Sequence, residues 1–375
     1  MTNISHDANG GTNGYDTLVG FSTAKNPLFV GSCAKNPDQT NAWTVSPFSS
    51  FGPTDDGRIK PDLVAPGEAI VTASASGDDW YQTVDGTSLS APVVTGGLAL
   101  VEELVKRLLG TNFYFNGATY KAVAIAGATP FSNVPGPSYQ TGWGGFDAAG
   151  SATFVYGEAQ NGRNSIIKEL LMTNGKQSRF IVRAGLSGTV TITLVWNDPP
   201  ANNYIFGAMN RTNSMLVNDL DMVVVKGGVT NRAYVLNPFN PSAPATQGDN
   251  WRDNVEQVTV ANVTAGEELL VIVTHKGTLT TDAYNNGQWA SLVINGARDE
   301  TTHPLVLQTM LVSTNQLAVS WPARVGSRFE LLANDDLGTT NWTAITGEII
   351  ALQTNVSVSL NPTNAQRFLQ VRQTR

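Results

Sequence analysis

Leu28 to Cys33 reads LFVGSC, a short apolar run that predicts a buried strand, and Ala69 to Ala73 predicts another. Between them, Ser46 to Gly67 is dense in Pro, Gly and Asp, which predicts an ordered loop. From Asp85 to Gly110 the spacing becomes helical, with Val93, Val94, Leu98, Leu100, Val101, Leu104, Val105 and Leu108 recurring as one apolar face. Pro92 is placed in the first turn, where its missing N–H is harmless, and Gly110 supplies the stop. A second helix is predicted over Tyr120 to Ala128, and Trp143 to Asp147 closes this part of the chain. Met1 to Gly14 is polar and rich in Gly and Asn, hence loop, with no secretory leader pattern in it.

After about Ser165 the period changes to alternation. Gly188 to Asp198 sets Val190, Ile192 and Leu194 on one face and three Thr on the other. Met215 to Lys226, Val255 to Val263, Glu268 to His275 and Trp289 to Asn295 follow the same rule, which predicts a β-sandwich or jelly roll. Asp299 to Pro304 reads as a linker. Beyond it, strands such as Gln316 to Trp321 and Arg367 to Val371 predict a smaller sandwich. The organisation expected is therefore three parts: 1–157, 158–298 and 303–375.

Composition narrows the partners. The chain has 23 basic and 30 acidic residues, a net charge of -7 that disfavours nucleic acid. A single Cys excludes a disulfide scaffold and a Cys-based zinc site. No uninterrupted apolar run reaches the roughly 18 residues of a membrane span. The sharpest chemical signal is Gly86-Thr87-Ser88-Leu89-Ser90-Ala91-Pro92. A Ser at the start of a helix meets free backbone N–H groups and the positive end of the dipole, which can stabilise an oxyanion formed when Ser88 attacks a carbonyl. The competing reading is that Thr87 or Ser88 merely caps the helix. With Ser at position 90, the pattern is not the Gly-x-Ser-x-Gly elbow of the α/β-hydrolases.

Thr23-Ala24-Lys25-Asn26, Val30-Gly31-Ser32, Phe48-Ser49-Ser50-Phe51-Gly52-Pro53, Asp56-Gly57-Arg58-Ile59-Lys60-Pro61-Asp62, Val64-Ala65-Pro66-Gly67 and Gly86-Thr87-Ser88 follow one another in order. Together they resemble the C-terminal half of a subtilisin-like serine protease domain over about residues 20 to 150. Gly142 to Asp147 is similar to the segment that ends that catalytic domain. The resemblance implies an α/β partial subtilisin-like domain, Ser88 as nucleophile, polypeptide substrates and a secreted or cell-surface, bacterial type of protein. Leu194 to Pro199, Leu216 to Asp221 and Asn254 to Glu256 resemble the jelly-roll β-barrel that follows the catalytic domain in some secreted subtilases. The last 70 or so residues look like a fibronectin- or immunoglobulin-type sandwich, with polysaccharide or cell-surface contact as an expected role. The fold class expected is thus a partial α/β domain followed by two all-β domains.

The resemblance also implies an Asp and a His upstream of the Ser. The chain has only His6, His275 and His303, none in a His-Gly-Thr context, and no leading strand carries the family's Asp-x-Gly motif. Asn3, Asn9 and Asn13 lack the Ala-Gly-Asn context of the family's oxyanion residue. The expectation is a C-terminal fragment of a longer protease, inactive alone. The alternative is a non-catalytic secreted binding or adhesion protein with a vestigial protease half. No cofactor is required for the chemistry. Asn218, Asp219 and Asp221, with Asp198 and Asp253, offer hard oxygens for a structural calcium ion, or else simply solvate a sheet edge. Cys33 is expected to pack, Asp55, Asp56, Arg58 and Lys60 to brace a loop, and Trp321, Phe329, Trp342 and Phe368 to form core.

Overall fold

The computed structural model describes residues 14–35, 43–131, 134–201, 212–281 and 286–299, then 307–313, 316–322, 328–336, 339, 341–352, 355–361 and 368–374. The chain divides into two compact units, Met1–Thr302 and His303–Arg375. Few helices and many strands in several sheets make up the whole, as expected of a partial α/β domain joined to β domains.

The first unit opens on a three-stranded sheet of β1 (Val30–Lys35), β2 (Trp43–Val45) and β3 (Leu63–Pro66), in which β1 pairs parallel to β3 and antiparallel to β2. β3 lies inside the stretch expected to be loop. Its four residues are too few to show a period, and Pro61 and Pro66 at its flanks mask it. A hairpin of β4 (Ile70–Ala73) and β5 (Tyr81–Val84) follows. Then come α1 (Thr87–Leu109), α2 (Gly117–Ala126) and α3 (Ala148–Asn161). The sequence pattern does not predict the third helix. Asp147 caps it, its carboxylate accepting the N–H groups of Ala149 and Gly150 at 2.9 Å each, but the small residues that follow leave no clear apolar stripe.

Among the described residues, eleven strands complete this unit. They are β6 (Ile167–Met172), β7 (Ser178–Ala184), β8 (Gly188–Trp196), β9 (Leu220–Lys226), β10 (Val229–Asn231), β11 (Ala233–Val235), β12 (Thr246–Gly248), β13 (Val255–Val263), β14 (Glu268–His275), β15 (Gln288–Asn295) and β16 (Ala297–Arg298). One sheet runs β10-β9-β14-β7-β16 and another β13-β8-β15-β6, sharing a core that includes Ile192, Leu194, Val224 and Val271. The second sheet is covered on its other face too. There Val195, Val293 and Ile167 join a core with Ala122, Val123 and Ile125 of α2. This explains why the Thr face of β8 is not simply solvated: Thr193 is buried.

The second unit contains β17 (Gln308–Ser313), β18 (Gln316–Pro322), β19 (Arg328–Asn334), β20 (Thr343–Ala344), β21 (Ile349–Ile350), β22 (Asn355–Leu360) and β23 (Phe368–Thr374). β17-β18-β22 form one sheet, and β19 pairs with β20, β21 and β23 in the other. Trp321 and Phe329 are buried and meet edge to face at 5.9 Å, at the centre of a small core. Trp342 and Phe368 are half-buried.

Candidate active site

Ser88 is exposed near the start of α1. Gly86, not Thr87 or Ser88, occupies the cap position, and it has no side chain with which to satisfy the first-turn N–H groups. The capping role is thus not what these hydroxyls do. Ser88 stands at the end of the helix that carries the positive pole of the dipole, the electrostatic setting that favours an oxyanion.

The helix start is pinned from beneath. β3 runs out at Pro66 into Gly67, whose carbonyl accepts the Gly86 N–H at 2.8 Å. Asp85 accepts the Ala69 N–H at 2.6 Å, holding the hairpin ends together. A side chain at Gly67 would overlap Ser90 Oγ and come within 2.6 Å of Ser32 Oγ and 2.7 Å of Gly86 O. The approach is possible only with glycine. Ser90 is buried here with its hydroxyl unpartnered. Beside it Ser32 and Ser46 share a hydrogen bond of 2.9 Å. Cys33, also buried in β1, has its thiol pushed up to about 12 by burial and then by the charge of Glu68, so it packs rather than reacts.

Two details of α1 differ from expectation. Because the helix begins at Thr87, Pro92 is its sixth residue and not in the first turn, so the Ser88 carbonyl has no helical N–H to accept. The buried stripe is also narrower: Ser90, Val94, Gly97, Val101 and Val105 pack inward, while Val93, Leu100 and Leu108 are exposed. By length and composition α1 would suffice to cross a bilayer, with a mean hydropathy of 1.3, yet its inner stripe packs in the core with Leu63 and Ala65 of β3.

A buried ionic network holds the approach to β3. Lys60 Nζ donates to Asp62 Oδ2 at 2.6 Å and Lys121 Nζ to Asp62 Oδ1 at 2.8 Å. Both ammoniums also reach backbone carbonyls, Lys60 that of Pro27 at 3.1 Å and Lys121 that of Lys25 at 3.2 Å. Burial pushes the Lys60 ammonium down to about 7, against the pull of Asp62. Burial opposes ionisation of Asp62, but Lys121 and Lys60 outweigh it and hold its carboxyl below the usual range. Nearby, Arg58 pairs with Asp56 at 2.7 Å, and Asp253 accepts the Ile59 N–H at 2.7 Å. Lys25 pairs with Asp198, and Asn26 exchanges hydrogen bonds with the Asp198 backbone. Asp56, Arg58 and Lys60 therefore brace the loop as expected, but they do so from inside.

The other site residues lie elsewhere. His6, His303, Asn3, Asn9 and Asn13 fall outside the described residues. His275 ends β14, where its Nε2 accepts the Gly175 N–H at 3.1 Å and its Nδ1 meets Gly277 O at 3.0 Å. Both ring nitrogens are engaged, one within its own turn and one across to the turn after β6. In the calcium set most polar atoms have protein partners, while Asp219 Oδ1 is buried without one. The Asn218 carboxamide oxygen accepts the Thr280 N–H at 2.7 Å, and its nitrogen donates to Gln288. Asp219 and Asp221 hold the Lys276 ammonium at 3.1 and 3.0 Å, with Asp249 on the same nitrogen, so a cation already stands among them. Asp198 is taken by Lys25, and Asp253 by Ile59. Among the described residues no group of three or more His, Cys, Asp or Glu is arranged to hold a metal. EDTA is expected to leave the thermal midpoint of the purified chain unchanged. A fall that calcium restores would show that an ion competes with Lys276.

Residues 7–144 match the model of the subtilase family. This segment of the chain is thus similar to the subtilase family, and the match leaves residues 145–375 outside it. A relative named serine protease/ABC transporter B family protein tagB, from Dictyostelium discoideum, is 25% identical over 303 residues, which is 61% of this chain and 15% of that protein. A C5a peptidase from Streptococcus pyogenes serotype M3 is 46% identical over 88 residues, 24% of this chain and 7% of that protein. The chain thus spans a small part of the relatives it matches. Sequence reasoning missed the Gly67 contact and the Lys121–Asp62 pair. The first had only a Val-Ala-Pro-Gly motif as signal, and the second had none.

Proposed function

We propose that this chain is the serine-bearing part of a secreted subtilisin-like endopeptidase, acting with an Asp and a His carried on polypeptide outside these 375 residues. The observation that carries the reading is Ser88, exposed at the uncapped start of a helix whose inner stripe is buried, within the segment that matches the subtilase family. In the reaction Ser88 Oγ bonds to the scissile carbonyl carbon as its proton passes to the His. That proton then goes to the leaving amine as the C–N bond breaks. Water hydrolyses the resulting ester and restores the hydroxyl. The strands of 158–298 correspond to a jelly-roll domain and those of 303–375 to a fibronectin- or immunoglobulin-type sandwich, the latter suited to surface or polysaccharide contact. Polypeptides are the substrates.

A fluorophosphonate probe tests this. The chain alone is expected to remain unlabelled. Joined to a subtilase segment bearing the His and Asp it should label at Ser88, and Ser88→Ala should reduce turnover on the order of 10⁶-fold. A second reading is a non-catalytic secreted adhesion protein, which needs no partner for Ser88: among the described residues the histidine, His275, bonds Gly175 and Gly277 instead. If the joined protein folds but does not label, that second reading stands and the first falls.

A further inference from the structure

The sheet face that α2 covers continues past the end of the helix. Along β15, residues 289, 291 and 293 share one face. Val293 and Ser291 lie buried under α2, Ser291 Oγ meeting Thr119 Oγ1 at 2.8 Å. Trp289, the next residue on that face, is 41% exposed. A cleft of about 560 Å³ opens there, between Asn116 at the start of α2 and the Asn197, Pro199 and Thr280 side. Below it Gln288 is locked, its amide donating to Asn197 O at 3.0 Å and its oxygen accepting from Asn218 at 2.7 Å.

The chemistry of the lining is specific. Among the described residues that line it there are amides, hydroxyls, prolines and one indole, and no ionisable side chain. Glu169 stands next to it, receiving the Asn116 N–H at 2.7 Å and the Thr119 hydroxyl, and its charge disfavours an anion at the helix start. The floor is a sheet face rather than an edge, because β15 is paired on both sides, to β6 and to β8. An extended peptide would find no free backbone row to pair with. A sugar ring suits the site: its C–H face stacks on an indole while its hydroxyls exchange hydrogen bonds with amides.

We propose that this cleft binds a neutral saccharide unit, with Trp289 as the stacking platform and the carboxamides of Asn116 and Asn197 as hydroxyl partners. The test is titration of the full chain with neutral oligosaccharides of glucose, mannose, galactose and N-acetylglucosamine, followed by calorimetry and tryptophan fluorescence. At least one is expected to bind saturably, and Trp289→Ala to weaken it by about tenfold or more. Asn197→Ala, an exposed position, provides a second variant with a smaller loss. The proposal is overturned if no oligosaccharide in the panel binds, if both folded variants bind as the parent does, or if sulfated oligosaccharides bind better than the neutral ones.

Discussion

Asp62→Ala is expected to destabilise the first unit by about 3–5 kcal/mol, the cost of breaking a buried ion pair from one side. The effect is large because two ammoniums, not one, depend on this carboxylate, at 2.6 and 2.8 Å. Lys60, Lys121 and Asp62 are all nearly inaccessible to solvent. Without the carboxylate the lysines are left to the carbonyls of Lys25 and Pro27, which cannot offset their charges, two of them below about pH 7 where Lys60 is protonated as well. Urea denaturation of the parent and variant chains measures the difference.

Proton linkage gives this prediction a second arm. Lys60 is shifted from 10.5 down to about 7 in the folded chain, so between those values the unfolded state holds a proton that the folded state has released. Its contribution to stability is present above 10.5 and is lost as pH falls through about 7. The neighbouring Asp253 acts with the opposite sign. Burial raises it from 3.8 to about 6, so the stability it contributes below 3.8 is lost as pH rises through about 6. Stability should therefore fall from pH 4 to 6 and rise again above 7. Removal of Asp62 should cost less at pH 10 than at pH 7, because a lysine left without its partner can deprotonate. An equal cost at both pH values would contradict the shared-carboxylate account.

Gly67→Ala is expected to reach the site itself. The added methyl would overlap Ser90 Oγ and press on Gly86 O, the residue that caps the Ser88 helix. Overpacking of this kind costs about 1–3 kcal/mol in stability. The larger consequence is displacement: a shift of about an ångström at a reacting group costs on the order of a hundredfold in rate. In the protein joined to its His and Asp, fluorophosphonate labelling of Gly67→Ala should slow by that factor while the fold persists. The double variant Gly67→Ala/Ser90→Gly removes one of the obstructing atoms and should recover part of the rate. No recovery would mean that the contact with Gly86 or Ser32, rather than Ser90, sets the helix position.

Particular elements mark what could be read in advance. β13 and β14 span the predicted stretches Val255–Val263 and Glu268–His275. β14 buries Leu269, Val271 and Val273 on one face of the shared core, whereas in β13 the alternation breaks at buried Glu256 and at a bulge after Val260. α1 was legible to within two residues at its start, because Gly86 and Gly110 bound a long helical pattern. α3 and β3 were not legible, since one has too few large apolar residues and the other too few residues altogether.

The calcium reading illustrates a different limit. Asn218, Asp219 and Asp221 are adjacent in the chain, and carboxylates in sequence look like ligands whatever faces them. Lys276 is 55 or more residues away along the chain, and only the antiparallel pairing of β14 with β9 brings it among them. Sequence alone therefore determined the order of motifs, the identity of Ser88 as the residue to ask about, and the change from helical to alternating period near residue 165. Those depend on local chemistry and spacing, which the chain carries wherever it goes. That Gly86 rather than a hydroxyl residue holds the cap position of α1, which lysines share Asp62 and what faces the acidic cluster were decided by tertiary structure. Each depends on groups distant in sequence being brought within hydrogen-bond reach, where burial and pairing set their charge.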